Sequence, residues 1–255
     1  MSLLELKDTT LKFGGVTAVD NLSFSVEEGE VFAIVGPNGA GKSTVFNLIS
    51  RFYTPIAGSS IVFDGHDLLK SKASEVAAFG VARTFQNIEL FDQATVLENL
   101  LVGRHRHRGT NFVSELFFTP SVKKQEIQNR HFVEEIIDFL DLQAYREKRI
   151  AGLPYGVRKV VEVARALATD PKLLLLDEPA SGLSVEETTD MRWWIDDIRR
   201  QMGITVLMVE HDMGLVSGVS DRVLAMADGA KLALGTPQEV QSDPAVIEAY
   251  LGHVA

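Results

Sequence analysis

The stretch Gly36-Pro37-Asn38-Gly39-Ala40-Gly41-Lys42-Ser43-Thr44 decides the reading of the whole chain. It follows the phosphate-binding pattern of a glycine, four free positions, then glycine, lysine and serine or threonine. The glycines let the backbone turn tightly and bring its N–H groups against phosphate oxygens. Lys42 reaches the outer phosphates as a point charge, and the Ser43 hydroxyl suits Mg2+. The preceding run Val31-Phe32-Ala33-Ile34-Val35 reads as a buried strand, and Lys42 to Ile49 reads as a helix whose positive end faces the anion. A glycine-rich turn that matched by chance would lack that strand before and that helix after. The nine residues imply binding of a nucleoside triphosphate.

Farther along, Lys172-Leu173-Leu174-Leu175-Leu176-Asp177-Glu178-Pro179 carries the second signal. Four leucines read as a strand buried on both faces of a parallel sheet. Carboxylates at the C-terminal end of such a strand stand where open α/β sheets bind ligands. Asp177 suits Mg2+, directly or through water, and Glu178 could polarise an attacking water; the bland alternative is an exposed acidic turn. Three single residues stay open on their own. Phe13 is either a base-stacking aromatic or a core phenylalanine. Gln86 is a metal or water ligand at a strand end, or a surface amide. His211 ends the strand Ile204 to Val209 and is either a γ-phosphate contact or a structural histidine.

Around these landmarks the chain alternates in character. Residues 1–30 show strand-like alternation, with Leu4, Leu6, Leu11 and Phe13 before a Gly14-Gly15 turn and Leu22, Phe24 and Val26 after it. Strands are expected at Ile61 to Phe63 and Val81 to Phe85, with a short helix Glu75 to Phe79 between them. From Thr95 to Ala168 the spacing is helical throughout, which predicts an all-helical lobe inserted in an α/β core. Within it Arg104-His105-Arg106-His107-Arg108 reads as a solvated basic loop, with contact to an acidic partner or anionic headgroups as the lesser reading. Thr188 to Met202 reads as a helix, Val223 to Leu234 as a hairpin turning at Asp228-Gly229, and Pro244 to Leu251 as a closing helix.

The bulk properties bound the partners. The 255 residues are 45% hydrophobic and 24% charged, as expected of a soluble globular chain. A net charge of −10 argues against nucleic acid as the main partner. The chain has no cysteine, which excludes disulfides and thiolate chemistry. No run approaches the roughly 20 apolar residues that cross a bilayer, and the N-terminus does not look like a signal peptide. Any membrane process it serves needs another chain to span the membrane.

Taken in order, these stretches resemble the ATPase subunit of ATP-binding cassette transporters, over nearly the whole chain. More narrowly they resemble the ATPases of branched-chain amino acid importers, through Phe13-Gly14-Gly15 with Ala18-Val19, Arg83-Thr84-Phe85-Gln86-Asn87 and Thr95-Val96-Leu97-Glu98-Asn99. Val209-Glu210-His211-Asp212-Met213 and the ending Gly235-Thr236-Pro237 to Ala249-Tyr250-Leu251-Gly252 carry the same resemblance. It implies an α/β fold: a P-loop NTPase core of RecA-like type (1–94 and 169–255) with an antiparallel β subdomain, and an inserted helical subdomain (95–168). It implies ATP and Mg2+ as cofactors. Phe13 with Val19 would stack on adenine, Lys42 would hold phosphates, and Ser43, Gln86 and Asp177 would serve Mg2+. Glu178 would be the catalytic carboxylate and His211 the γ-phosphate switch.

The implied partners are transmembrane permeases, a second cassette paired head to tail, and indirectly a periplasmic or extracellular solute-binding protein, which places the chain on the cytoplasmic face of the membrane. The signature expected as Leu-Ser-x-Gly-Gln reads Leu153-Pro154-Tyr155-Gly156-Val157, without the hydroxyl and the amide. Gly156 still permits close approach to phosphate, and Arg158 to Leu167 reads as the helix behind it, so weakened binding is expected. Ser184 stands where the family usually has Asp or Asn. A DNA-acting cassette is disfavoured by the absence of long coiled coils, and a translation-factor cassette by the single phosphate loop. A soluble assembly ATPase without a permease is the standing alternative.

Overall fold

The computed structural model describes residues 2–107 and 120–251. In chain order the strands are β1 (Ser2–Phe13), β2 (Val16–Glu27), β3 (Val31–Val35), β4 (Ser60–Phe63), β5 (His66–Asp67), β6 (Val81–Arg83), β7 (Leu173–Asp177), β8 (Thr205–Val209), β9 (Arg222–Ala227) and β10 (Ala230–Gly235). The helices used below are α1 (Lys42–Ile49), α2 (Ala73–Phe79), α3 (Val96–Gly103), α4 (Pro120–Phe139), α5 (Tyr155–Leu167), α6 (Val185–Met202), α7 (Met213–Val219), α8 (Pro237–Ser242) and α9 (Pro244–Leu251). Contacts divide the chain into two units: Met1–Arg83, Lys172–Ser181 and Val185–Ala255 in the first, Thr84–Pro171 and Gly182–Ser184 in the second.

The first unit holds two sheets. The antiparallel one runs β2-β1-β4-β5, and the other runs β10-β9-β3-β8-β7-β6. In the second sheet β9, β3, β8, β7 and β6 are parallel, and β10 closes one edge antiparallel to β9. Every residue of β3, β7 and β8 is buried, as a strand covered on both faces requires. Phe32, Ile34, Leu173, Leu175, Leu207 and Val209 share one core with α1 and the inner face of the antiparallel sheet. Helix α6 contributes Met191, Ile195 and Ile198 to burial of the sheet and packs on β8.

Register then sets the site. Ile34 and Asp177 both pair with Val209, so β3, β8 and β7 end level with one another. The residues that follow them, the phosphate loop, Glu210-His211 and Glu178, therefore emerge side by side at the carboxyl ends of adjacent strands. That edge is where open parallel sheets bind ligands.

Several boundaries differ from the sequence expectation, each for a local reason. The strand expected to reach Phe85 stops at Arg83, because the Phe85 amide donates to Glu162 Oε1 and not to a strand. Helix α6 begins at Val185, not Thr188, with Glu186 and Glu187 in its first turn against the helix dipole. Helix α5 begins at Tyr155, not Arg158. Two short helices were not anticipated. Asp212 caps α7 by accepting from the Gly214 and Leu215 amides, and Thr236 and Glu239 form a capping box on α8 with proline in its first turn.

The second unit is helical, built from α3, α4 and α5 with short 3-10 turns. A buried amide organises its start: Asn99 accepts from the Phe91 amide and donates to the Phe91 and Thr95 carbonyls. The expected solvated basic loop is corrected at Arg104. Its guanidinium donates to Asn129 Oδ1 and to the Ala168 carbonyl, and lies 4.3 Å over the Phe132 ring. Burial lowers its pKa. The charge is thus a packing element between helices and a cation–π partner. Arg108, at the end of that stretch, and Gly252 lie outside the described residues.

Candidate nucleotide-binding site

The phosphate loop follows β3 directly, and its glycines are required by geometry. At Gly36 (φ 150°) a Cβ would stand 2.1 Å from the Met226 carbonyl oxygen. At Gly41 (φ 94°) it would stand 2.4 Å from the Ala18 carbonyl oxygen. The loop is pinned on its other side by Gly229, whose amide donates to the Ala40 carbonyl. Ser43 is exposed at the start of α1, beside the unpaired first-turn amides that attract anions. Lys42 is buried, and its ammonium donates to the Gly36 and Pro37 carbonyls at 2.7 and 2.9 Å. Burial lowers its pKa, and the negative charges of Glu178 and then Asp177 oppose that shift. Lys42 thus lies within the field of both carboxylates.

Asp177 ends β7 fully inside the unit, and its Oδ2 accepts from Arg83 at 2.8 Å. Arg83 in turn donates to Asn47 Oδ1 at 2.7 Å and lies 5.4 Å over the Phe46 ring. One guanidinium therefore ties the end of β6 to α1 and to the end of β7. Sequence reading missed that role, although Arg83 lies inside an expected strand, where a charged side chain in a buried sheet needs a partner. Glu178 has φ 49°, and its amide donates to the Val209 carbonyl at 2.9 Å. His211 is largely exposed, and its Nδ1 lies 3.3 Å from Glu210 Oε2.

Phe13 and Val19 part company. Phe13 is 46% exposed at the tip of the β1–β2 hairpin, with its ring edge-on to Tyr53 at 5.0 Å, so the core alternative is excluded. Val19 is fully buried in the core, which corrects its assignment as a base-stacking partner: it has no side-chain surface to offer. Val16 is 67% exposed and pairs directly with Phe13 across the two-residue Gly14-Gly15 turn. Residues flanking such a turn face the same side, so Val16 shares the face of Phe13. The hairpin turn itself carried the signal for Val16; Tyr53 had none.

Gln86 and the signature residues belong to the second unit. Gln86 is exposed in an irregular stretch. Leu153 is buried, and Pro154 occupies the N-cap of α5 without a side-chain hydrogen bond. Tyr155 opens the helix, and Gly156 is buried in its first turn. Tyr155 packs on Gly182, where a Cβ would stand 2.9 Å from its ring. Pro154 thus gives the first turn of α5 no side-chain cap, and the positive end of a helix suits an anion.

A phosphate loop at the end of a parallel strand, a buried lysine facing two carboxylates and an aromatic at a hairpin tip define a P-loop nucleoside triphosphatase. The chain belongs to the ATP-binding cassette transporter family and is an ATPase of that kind. The family described as "ABC transporter" matches residues 19–181, and the one described as "Branched-chain amino acid ATP-binding cassette transporter" matches residues 230–255. The chain is 42% identical over 250 residues to the high-affinity branched-chain amino acid transport ATP-binding protein BraF of Pseudomonas aeruginosa, covering 98% of each. To the corresponding protein LivG of Escherichia coli it is 38% identical over 250 residues, again covering 98% of each. Among solved structures, an ATP-binding cassette of an ABC transporter in its ADP conformation superposes with a TM-score of 0.85 at 33% identity, covering 99% of each chain.

Proposed function

We propose that this chain is the ATP-hydrolysing subunit that powers an importer of branched-chain amino acids. One observation carries the reading. The chain aligns end to end with relatives named for that transport, and its own C-terminal segment matches the family specific to it. Among the described residues no helix is long and apolar enough to cross a membrane, so permease subunits would supply the path. A second cassette and a solute-binding protein would complete the assembly, with this chain on the cytoplasmic face.

The residues divide the chemistry among them. Backbone N–H groups of the loop from Gly36 to Gly41, with Lys42, hold the phosphates and stabilise charge on the transferring group, mostly by positioning. The donors fit Mg2+: Ser43 and Asp177 offer hard oxygen atoms, and Mg2+ takes one or two such protein ligands beside substrate phosphates. When bound, the ion supplies neutralisation of developing charge on the phosphate oxygens. Glu178 orients water toward the γ-phosphorus, and His211 contacts the γ-phosphate. Phe13 and Val16 offer the apolar face for the base.

The test is leucine uptake and ATP hydrolysis in membranes holding the chain with its permeases and binding protein. ATP-driven uptake that Lys42→Ala abolishes is the expected result. Hydrolysis by the chain alone at the full rate, with no response to permeases, would instead support an assembly ATPase that works without a membrane partner.

A further inference from the structure

We propose that Glu210 is a positioning residue for hydrolysis, holding His211 and the turn that carries Glu178 through one buried carboxylate. The proposal rests on the roles given above to those two residues. Glu210 has no exposed surface, although it follows a strand and precedes an exposed histidine. Its Oε1 accepts from the Ala180 amide at 3.0 Å, two residues past Glu178. Its Oε2 accepts from the amides of His211 and Asp212, and lies 3.3 Å from His211 Nδ1. Its own amide donates to the Ile34 carbonyl at 3.2 Å, at the end of the strand that leads into the phosphate loop. The Glu178 turn is held in addition through the Val209 carbonyl and closed by the Ser181 amide on the Glu178 carbonyl.

The chemistry demands a carboxylate. It is acceptor-only, and here every group it meets is a donor. A glutamine in its place presents one NH2 group, and either orientation sets that donor against a backbone N–H, on the Ala180 side or on the His211 side. Nδ1 of His211 faces the same carboxylate, 3.3 Å from Oε2. With Nδ1 turned to Glu210, Nε2 is the nitrogen left to face a ligand, and it must carry a proton to donate to a phosphate oxygen. Glu210 thus acts on the reacting groups through others and touches none of them.

The experiment compares the native full chain with Glu210→Gln, using equilibrium ATP binding, single-turnover hydrolysis and 15N NMR of the histidine side chains, with His211→Ala to assign the His211 signals. Glu210→Gln is expected to leave ATP affinity within about threefold while turnover falls about 10- to 100-fold, by analogy with the outer-shell partners that orient metal-bound histidines. The side-chain 15N signals of His211 are expected to shift, because the ring loses the carboxylate that faces Nδ1. Turnover within about twofold of native overturns the proposal, as do unchanged His211 side-chain signals. Loss of turnover that merely tracks an equal loss of affinity and of melting temperature overturns it as well. Native turnover in His211→Ala would remove the role given to His211, and turnover in Glu210→Gln would still decide for or against Glu210 through the Glu178 turn.

Discussion

Glu178 sits at φ 49°, in the left-handed region that a side chain with a Cβ enters only when its surroundings hold it there. Its amide is fixed by Val209 and its carbonyl by Ser181, so the carboxylate is aimed by backbone bonds at both ends of the residue. Glu178→Gln preserves that backbone and the side-chain shape and removes only the charge. It is expected to keep ATP affinity and lower turnover by about 100- to 10,000-fold, the range typical of a positioned general base; near-native single-turnover rates would remove Glu178 from that role. The glycines of the loop allow a second comparison. Gly39 and Gly41 both have positive φ, but a Cβ meets nothing within 4 Å at Gly39 and the Ala18 carbonyl oxygen at 2.4 Å at Gly41. Gly39→Ala therefore carries backbone strain of about 1–3 kcal/mol, and Gly41→Ala adds a clash with main chain that cannot rotate away. Thermal melting should show the larger loss at Gly41, with ATP binding abolished there first.

At the scale of elements, the buried Glu162 on α5 ties that helix to the stretch leading to Gln86, through the Phe85 amide. Burial raises its pKa, against the bond from Phe85 and the nearby charges of Lys159 and Arg165. The folded value lies above the unfolded one, so the stabilising share of this group is complete below the ordinary glutamate range and is lost as pH rises through the folded value. Glu162→Gln keeps an acceptor for Phe85 and removes the desolvated charge. Its melting temperature relative to native should be higher at about pH 8 than at about pH 5; a pH-independent difference would contradict this. Elements were legible in the sequence where the signal was local. The loop, β3 and α1 follow from nine residues and their flanks, and α9 from Pro244. Thr236-Pro237 with Glu239 carried a capping signature for α8 that was open to reading. The start of α5 was not, because Gly156 and Val157 are weak helix formers and only tertiary burial of Gly156 draws the helix back to Tyr155. Val19 was misjudged because register, and not the motif around it, decides which face of β2 it takes. The bonds of Glu210 to Ala180 and of Arg83 to Asp177 join residues far apart in sequence, and no spacing announces them.

Taken whole, the molecule offers two unlike halves to a partner. Its phosphate loop is complete, whereas its signature presents Pro154 at the N-cap of α5 with no side-chain hydrogen bond and Val157 in place of an amide. If two cassettes pair head to tail, the phosphate loop of this chain meets the partner's signature, and the partner's phosphate loop meets Pro154. The first site has all its polar groups if the sister cassette keeps the usual signature. The second lacks a hydroxyl and an amide aimed at the phosphates, though the first-turn amides of α5 remain. With such a sister, Lys42→Ala in this chain should therefore remove most hydrolysis, and the matching substitution in the partner should remove less. Equal losses would rule out the asymmetry. Pro154→Ser supplies both a cap, worth about 1 kcal/mol to α5, and the missing hydroxyl. It should raise the rate that survives Lys42→Ala and narrow the gap between the two sites, because the serine acts only where this chain's signature completes its partner's loop. A gain in melting temperature without a gain in that residual rate would mean that the serine caps the helix and does nothing for the phosphates.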